Sequence, residues 1–291
     1  MPHTKPLLII NPDSGRYSRR RVGHVIGELV RLGLTPRIVS VRTPREAADY
    51  LCSTGPQSGR PFIIVAAGDG TFNAVLNCVE PGMATLAVLP LGTSNVLAAE
   101  LGITSLDDGI QRIVRGVARP LPVGLLQLAS GRHYFGLMAG VGLDGAVVRD
   151  VRPAEKRLLR QGAFALSALR NAWSWDRELV EVVSGGQRLR CHTVVVCNAS
   201  RYGGDFILAP RGDLLAPGFT VACMTAGRRG SYLAMAWDLF RGRTERNRDM
   251  IRLTGTDVEI RGTKPIQIDG DFVGYGPARI TAVADFARII V

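Results

Sequence analysis

The sequence predicts an α/β protein, with a doubly wound, mostly parallel sheet over residues 1–122 and a β-rich second domain carrying a helical insert over 123–291. Three observations carry this expectation. Through residue 122, short apolar runs alternate with segments of helical periodicity, the pattern of a parallel sheet with crossover helices. Turns rich in glycine and hydroxyl residues follow three of those runs. Beyond Pro120-Leu121-Pro122 the helical pattern thins, and short β-like runs separated by glycines take over.

The first run, residues 7–11 (LLIIN), is a short strand that enters the turn Pro12-Asp13-Ser14-Gly15. A helix is expected over about 19–32, with Val22, Val25, Ile26 and Leu29 inward and Arg19, Arg20 and Arg21 at its start. Those charges oppose the helix dipole. They suit a solvated face, and a nearby anion is the sharper alternative. Residues 38–41 give a second strand. Thr43-Pro44-Arg45-Glu46 is a capping box with proline at the first helical position, so Thr43 reads first as a cap.

Residues 63–77, IIVAAGDGTFNAVLN, form the centre of the first domain. Residues 63–67 read as a buried parallel strand, Gly68-Asp69-Gly70-Thr71 as a sharp turn, and Phe72, Val75, Leu76 and Val79 as a helix. A helix beginning after a glycine turn offers unpaired backbone N–H groups and a positive dipole end, where a phosphate sits well. A tight turn with no ligand is the plainer alternative. Asp69 favours the first reading, because a carboxylate beside a phosphate cradle requires a Mg²⁺ between them. Residues 86–89 are the next strand, entering Pro90-Leu91-Gly92-Thr93-Ser94-Asn95 and a short helix that closes near Gly102. Right-handed crossovers then bring the turns at 11–15, 68–71 and 92–95 to one carboxyl edge of the sheet.

The β-like runs of the second domain are VGLLQLA, HYFGLMAG, ELVEVV, HTVVVCNAS, FTVACM, DVEIRG, IQID and ARITAV. A helical insert at about 154–176 begins with Arg149, Arg152, Lys156, Arg157 and Arg160 and carries Trp173 and Trp175. It either packs on the sheet or rests on an anionic membrane surface, and residues 231–243 (SYLAMAWDLFRGR) admit the same two readings. Residues 140–145 match GxGxxG but open no βαβ series and lack an acidic partner near position 165, so they are no dinucleotide fingerprint. Asp269-Gly270, set between alternating apolar residues, is a hairpin signal.

Apolar residues make up 46% of the chain, yet no run approaches the roughly 18 needed to span a bilayer. The start shows no signal-peptide pattern. Five cysteines, scattered and without a CxxC pair, and four scattered histidines argue for a reduced, cytoplasmic setting without zinc. The net charge of +11 is almost all arginine and suits nucleotide phosphates or an anionic lipid surface. Nucleic acid is disfavoured, because the 6% of aromatic residues are not interleaved with the basic ones.

Taken in order, the motifs resemble the bacterial diacylglycerol kinase family, which includes sphingosine and ceramide kinases and is distantly similar to the NAD kinases. The resemblance rests on Asn11-Pro12 with Gly15, AAGDGTFNAVLN at 66–77, LPLGTSNVLAAELGI at 89–103, GVGLDGAVV at 140–148, YGGDFILAP at 202–210 and IQIDGDFVG at 266–274. It implies an NAD-kinase-like catalytic domain and a C-terminal β-sandwich, with ATP and a lipid meeting in the cleft between them. It implies ATP and Mg²⁺ as cofactors, and diacylglycerol or a sphingoid or ceramide-like lipid as acceptor. It also implies peripheral association with the membrane; a homodimer is left open. Carried over residue by residue, the nucleotide positions are Asn11, Thr43, Gly68, Asp69, Gly70, Thr71, Asn73, Gly92 and Thr93. Asp69 is also the expected metal ligand, and Asp271 falls where the family has its general base, usually the glutamate of a DGE triplet. The chain departs from the pattern at Ala67, at Val96, and at Leu215 and Ala216 in place of the aspartates of a structural magnesium loop. Two alternatives follow: a soluble-substrate kinase of the NAD-kinase type, and a nucleotide-binding regulatory protein without catalysis.

Overall fold

A computed structural model describes residues 5–53, 60–151, 167–168, 170–171 and 176–291. The insert expected at about 154–176 lies almost wholly outside these residues, Trp173 and Trp175 included. The chain forms two compact units, Met1–Pro122 with Ala284–Val291, and Val123–Val283.

The first unit is built on a parallel sheet. β1 (Leu7–Ile10) lies between β2 (Arg37–Ser40) and β3 (Phe62–Ala67), and β4 (Thr85–Pro90) flanks β3. All four residues of β1 are buried, as are five of the six in β3, which is why these strands read as unbroken apolar runs. Of the helices, α1 (Arg19–Arg31) starts at Ser18, whose hydroxyl accepts the Arg21 N–H at 3.2 Å. After it come α2 (Pro44–Ser53), α3 (Asp69–Leu76), α4 (Val96–Glu100) and α5 (Leu106–Arg115). Val25 and Leu29 of α1 join Ile110 and Ile113 of α5 over Leu8, Ile64, Ala87 and Leu89 of the sheet. The sequence reading passed over α5, although Ser105 caps it by accepting the Asp108 N–H at 3.1 Å and Gly116 ends it at φ 67°. The final strand, β18 (Ala278–Ile290), begins in the second unit and ends in the first, where Arg288 and Ile289 run parallel to Thr85 and Leu86 of β4.

The second unit is a β-sandwich. One antiparallel sheet has the order β14 (Met250–Gly255), β13 (Phe219–Met224), β10 (Thr193–Cys197), β7 (Met138–Val141), β16 (Pro265–Ile268), β17 (Asp271–Tyr275). Other strands are β15 (Asp257–Arg261), paired with the start of β18 and with β8 (Val180–Ser184), and β9 (Gln187–Cys191), which forms a hairpin with β8. The pair β5 (Ala118–Leu128) and β6 (Gly131–Phe135) forms another hairpin. Side chains from both sets, among them Val194, Val221 and Ile266 with Val182, Val258 and Ile280, form one apolar core. The unit also holds α6 (Leu143–Arg149), the two-stranded β11 (Arg201–Tyr202) and β12 (Phe206–Ile207), and α7 (Arg229–Phe240).

The single run expected at 133–140 is two strands, and the reason is local. The N–H groups of Gly136, Leu137 and Met138 bond the Asp269 carboxylate at 2.8, 3.0 and 2.9 Å rather than a neighbouring strand. The hairpin expected at Asp269-Gly270 is formed by β16 and β17, whereas β9, β14 and α6 were missed. β9 is mostly exposed and polar, and α6 has Asp144 and Gly145 in its first turn.

Candidate functional site

The strand order β2-β1-β3-β4 means that the chain leaves β1 towards one edge and returns on its other side as β3. In an open parallel sheet this switch point leaves a crevice at the carboxyl ends of the two strands. The turn leaving β1 is residues 11–15 and the one leaving β4 is 91–95; after β3 the expected turn at 68–71 shrinks to Gly68, because α3 already begins at Asp69.

Hydrogen bonds and close packing fasten the two turns and the start of α3 together. The Asn11 side-chain amide donates to the Thr71 hydroxyl at 3.3 Å, and its Oδ1 accepts the Asp13 N–H at 2.8 Å. The Arg16 N–H donates to the Leu91 carbonyl at 2.9 Å. Glycine is required at Gly92, where a Cβ would collide with the Gly68 Cα, while a Cβ on Gly15 would force the Thr93 hydroxyl to turn away. Asn95 fixes the turn after β4 from a left-handed conformation, φ 51°. Its side-chain Oδ1 accepts the Gly92 N–H at 2.7 Å, and its side-chain amide donates to the Gly92 carbonyl at 3.0 Å.

Asp69 has a structural task here. Its two carboxylate oxygens accept the Val96 and Leu97 N–H groups at 3.0 and 3.1 Å, so it caps α4, whose own preceding residue Asn95 is turned back onto Gly92. Burial pushes its carboxyl above the ordinary range, against the opposing pull of the Leu97 and Val96 N–H groups. Among the described residues no group of three or more His, Cys, Asp or Glu side chains is arranged to hold a metal ion. Near the replaced aspartates of the expected magnesium loop, the Asp213 carboxylate accepts the Leu215 N–H at 2.9 Å.

The start of α3 is different. Gly68 precedes it without a side-chain cap, and Gly68, Asp69 and Gly70 are half-buried. Backbone N–H groups at such an end, beside the half-buried Thr93 and Ser94, fit a phosphate. Other expected nucleotide residues bond within the protein. Thr71 and Asn73 are buried, Thr71 tied to Asn11 and Asn73 accepting the Asn77 amide at its carbonyl, 2.9 Å. Thr43 completes the capping box of α2, accepting the Glu46 N–H at 3.1 Å while the Glu46 carboxylate takes the Arg42 N–H at 2.8 Å.

In the second unit Asp269 (φ 47°) and Gly270 (φ 90°) make the tight turn joining β16 to β17. The Asp269 carboxylate holds the three N–H groups of residues 136–138. The Gly270 N–H donates to the Gln267 side-chain oxygen at 2.8 Å, and the Gln267 amide donates to Asp144 Oδ2 at 2.6 Å. The Tyr202 hydroxyl donates to Asp144 Oδ1. Burial drives the Asp144 carboxyl and the Tyr202 phenol upward, Tyr202 further through the adjacent Asp144. Asp271, exposed, opens β17 opposite Ile268. This chain, Tyr202–Asp144–Gln267–Gly270, holds the Asp271 hairpin from beneath. The sequence reading missed Asp144, Tyr202 and Gln267 as a set. The signal was their presence in three separate motifs, at 140–148, 202–210 and 266–274.

Comparison with known proteins agrees with the fold. Residues 5–126 match the diacylglycerol kinase catalytic domain, and residues 138–291 match the YegS C-terminal NAD kinase beta sandwich-like domain. A diacylglycerol kinase of Bacillus subtilis is 27% identical over 295 residues, covering 98% of this chain and 95% of the relative. A putative diacylglycerol kinase from Bacillus anthracis superposes with a TM-score of 0.81 at 21% identity, covering 98% of this chain and 94% of that one. An NAD kinase from Archaeoglobus fulgidus, solved with ATP, has the same fold at a TM-score of 0.52 and 13% identity, covering 98% and 93%. Two consecutive domain matches in this order, over nearly the whole chain, place it in the diacylglycerol kinase and YegS-like family of lipid kinases.

Proposed function

We propose that the chain transfers the terminal phosphoryl group of ATP to the hydroxyl of a lipid, with diacylglycerol or a related long-chain alcohol as acceptor. The observation that carries this reading is the β1/β3 switch point, where the turns at 11–15 and 91–95 are locked to the uncapped start of α3. In this reading the first N–H groups of α3 and the Thr93 hydroxyl bind the phosphates. The acceptor oxygen attacks the terminal phosphorus, the bond to the bridging oxygen breaks, ADP leaves, and the acceptor's proton passes to the Asp271 carboxylate. Alignment and charge neutralisation supply most of the acceleration in such a transfer. A divalent cation would arrive on the nucleotide's phosphates, since the described residues offer no cage for one.

The test is labelled ATP with diacylglycerol, ceramide, a sphingoid base and NAD⁺ as competing acceptors, with and without Mg²⁺. Phosphorylation of a lipid is expected, falling by about 10²–10⁴-fold in Asp271→Asn and largely retained in Asp271→Glu, which keeps the carboxylate. Label on NAD⁺ alone would favour the soluble-substrate reading, and nucleotide binding with no transfer at all would favour the regulatory one. An Asp271→Asn enzyme as fast as wild type would remove Asp271 from the role of base.

A further inference from the structure

The helix α7 is apolar on two sides. Ser231 and Met235 face the unit and are buried, whereas Leu233, Trp237 and Phe240 are 73%, 58% and 72% exposed. With Ala236 these three follow the spacing i, i+3, i+4, i+7, which gathers them into one outward stripe. A surface helix ordinarily places charged side chains there. The Trp237 and Phe240 rings stack at 6.2 Å, and the Arg241 guanidinium lies over the Trp237 ring at 5.4 Å. Phe206 and Ile207 of β12, against which α7 packs, extend the apolar surface at 43% and 38% exposure.

The rim of this stripe is basic. Arg228, Arg229, Arg241, Arg243, Arg246 and Arg248 lie in or beside α7, with Asp238, Glu245 and Asp249 as the acids of that stretch and Asp205, 3.6 Å from Arg201, beside Phe206. Asp238 is engaged by the Asn247 amide at 2.8 Å, and Glu245 by Arg211 at 3.8 Å. Leucine, tryptophan and phenylalanine on one face with arginine at its border is the composition of an interfacial helix. The aromatic rings suit the headgroup boundary, and the guanidinium groups suit lipid phosphates. The sign of the charge chooses the occupant: an anionic lipid surface is complementary, and a second copy of this basic face is not.

We propose that the outer face of α7 docks the enzyme on an anionic membrane, with Leu233, Trp237 and Phe240 seated at the acyl boundary and the arginines on the headgroups. This rests on the reading that the acceptor is a bilayer lipid. Among the described residues no helix is long and apolar enough to cross a membrane, so attachment by this face would be peripheral.

The experiment is co-sedimentation of the full chain with phosphatidylcholine vesicles containing or lacking phosphatidylglycerol, without ATP. Binding is expected only to the anionic vesicles, and it should weaken with added salt. Leu233→Ser/Trp237→Ser/Phe240→Ser should lose it at least tenfold, and Arg241→Gln/Arg243→Gln should lose about fivefold per arginine. In a Trp173→Phe/Trp175→Phe background, Trp237 emission should shift to the blue on binding. Because all five sites are exposed, melting temperature and transfer to detergent-dispersed lipid should stay as in wild type. A triple variant that binds anionic vesicles as wild type does would overturn the proposal. So would a wild-type dimer that the triple variant dissociates with vesicle binding untouched. Transfer to dispersed lipid without any vesicle binding would sink the docking face and leave the kinase reading standing. Binding that depends on α7, with no transfer in any presentation, would support docking and sink the kinase reading.

Discussion

Replacing Asp69 by asparagine separates two roles that the sequence motif confounds. The wild-type carboxylate gives one oxygen to each of two N–H groups at the head of α4, 3.0 and 3.1 Å away. The amide keeps one acceptor and turns an NH₂ group towards the other N–H, so one charge-assisted hydrogen bond is lost and a half-buried donor is stranded. A bond of that kind is worth about 1.5–3 kcal/mol. The neutral amide avoids confining a charge that burial already disfavours, which returns part of the loss, so a net cost of about 1–2 kcal/mol follows. For a unit of this size that lowers the melting temperature by roughly 3–6 °C. Urea unfolding of both proteins, with and without Mg²⁺, measures the structural effect, and calorimetric ATP titrations at several Mg²⁺ concentrations measure the ligand effect. Capping predicts a lower midpoint that Mg²⁺ does not restore and an unchanged Mg²⁺ requirement. A variant as stable as wild type, needing tenfold or more Mg²⁺ for the same ATP affinity, would refute the capping argument in favour of direct metal ligation.

Asn95 offers a graded test of the turn after β4. Asn95→Gly removes both bonds to Gly92 but tolerates φ 51°, at about 1–3 kcal/mol; Asn95→Ala adds backbone strain of roughly 1 kcal/mol, so the order wild type, Gly, Ala in chemical-denaturation midpoint is expected, and an Ala variant at least as stable as Gly would contradict it. The buried Asp144 sets a pH dependence. Its carboxyl is raised by burial, so the folded state holds the proton more tightly than the unfolded one, and the stability this gives is complete below the ordinary aspartate range and lost as pH rises through the folded value. Asp144→Asn cannot titrate, so the stability gap between wild type and variant should narrow with rising pH; urea midpoints that differ by the same amount at every pH would count against this.

Much of the first unit was legible because β1, β3 and β4 are buried on both faces and the turns have their own chemistry. Leu7–Ile10 and Phe62–Ala67 are continuous apolar runs, and Thr43 with Glu46 makes the capping box that the spacing announces. What escaped was non-local. Nothing near residues 136–138 says that their N–H groups will be taken by a carboxylate more than 130 residues later. Nothing in the last eight residues says that they pack with the first unit, since a β-branched run fits any sheet. At the candidate site the residue types were readable while their division of labour was not. Thr71, Asn73 and Thr43 have the right polarity for a nucleotide, and each also bonds within the protein, Thr71 to the turn after β1, Asn73 to Asn77 and Thr43 to the head of α2.

The dipeptide Asp-Gly occurs in each unit, at 69–70 and at 269–270, and its aspartate does the same thing in two different settings. Asp69 opens a helix and ties it to another helix; Asp269 turns a hairpin and ties it to the break between two strands. In both, a carboxylate receives backbone N–H groups that the local secondary structure leaves without a partner, which is the cheapest way to pin a turn whose glycine leaves it loose. The consequence bears on how loss of activity is read. Substituting either aspartate lets a neighbouring turn move, and transfer chemistry tolerates displacements of an ångström poorly. An alanine scan scored by activity alone would therefore count Asp69 and Asp269 as chemical participants alongside Asp271. Scored by stability as well, the scan should separate them, with Asp69 and Asp269 lowering both quantities and Asp271, exposed at the head of its strand, lowering activity with the unfolding midpoint nearly unchanged.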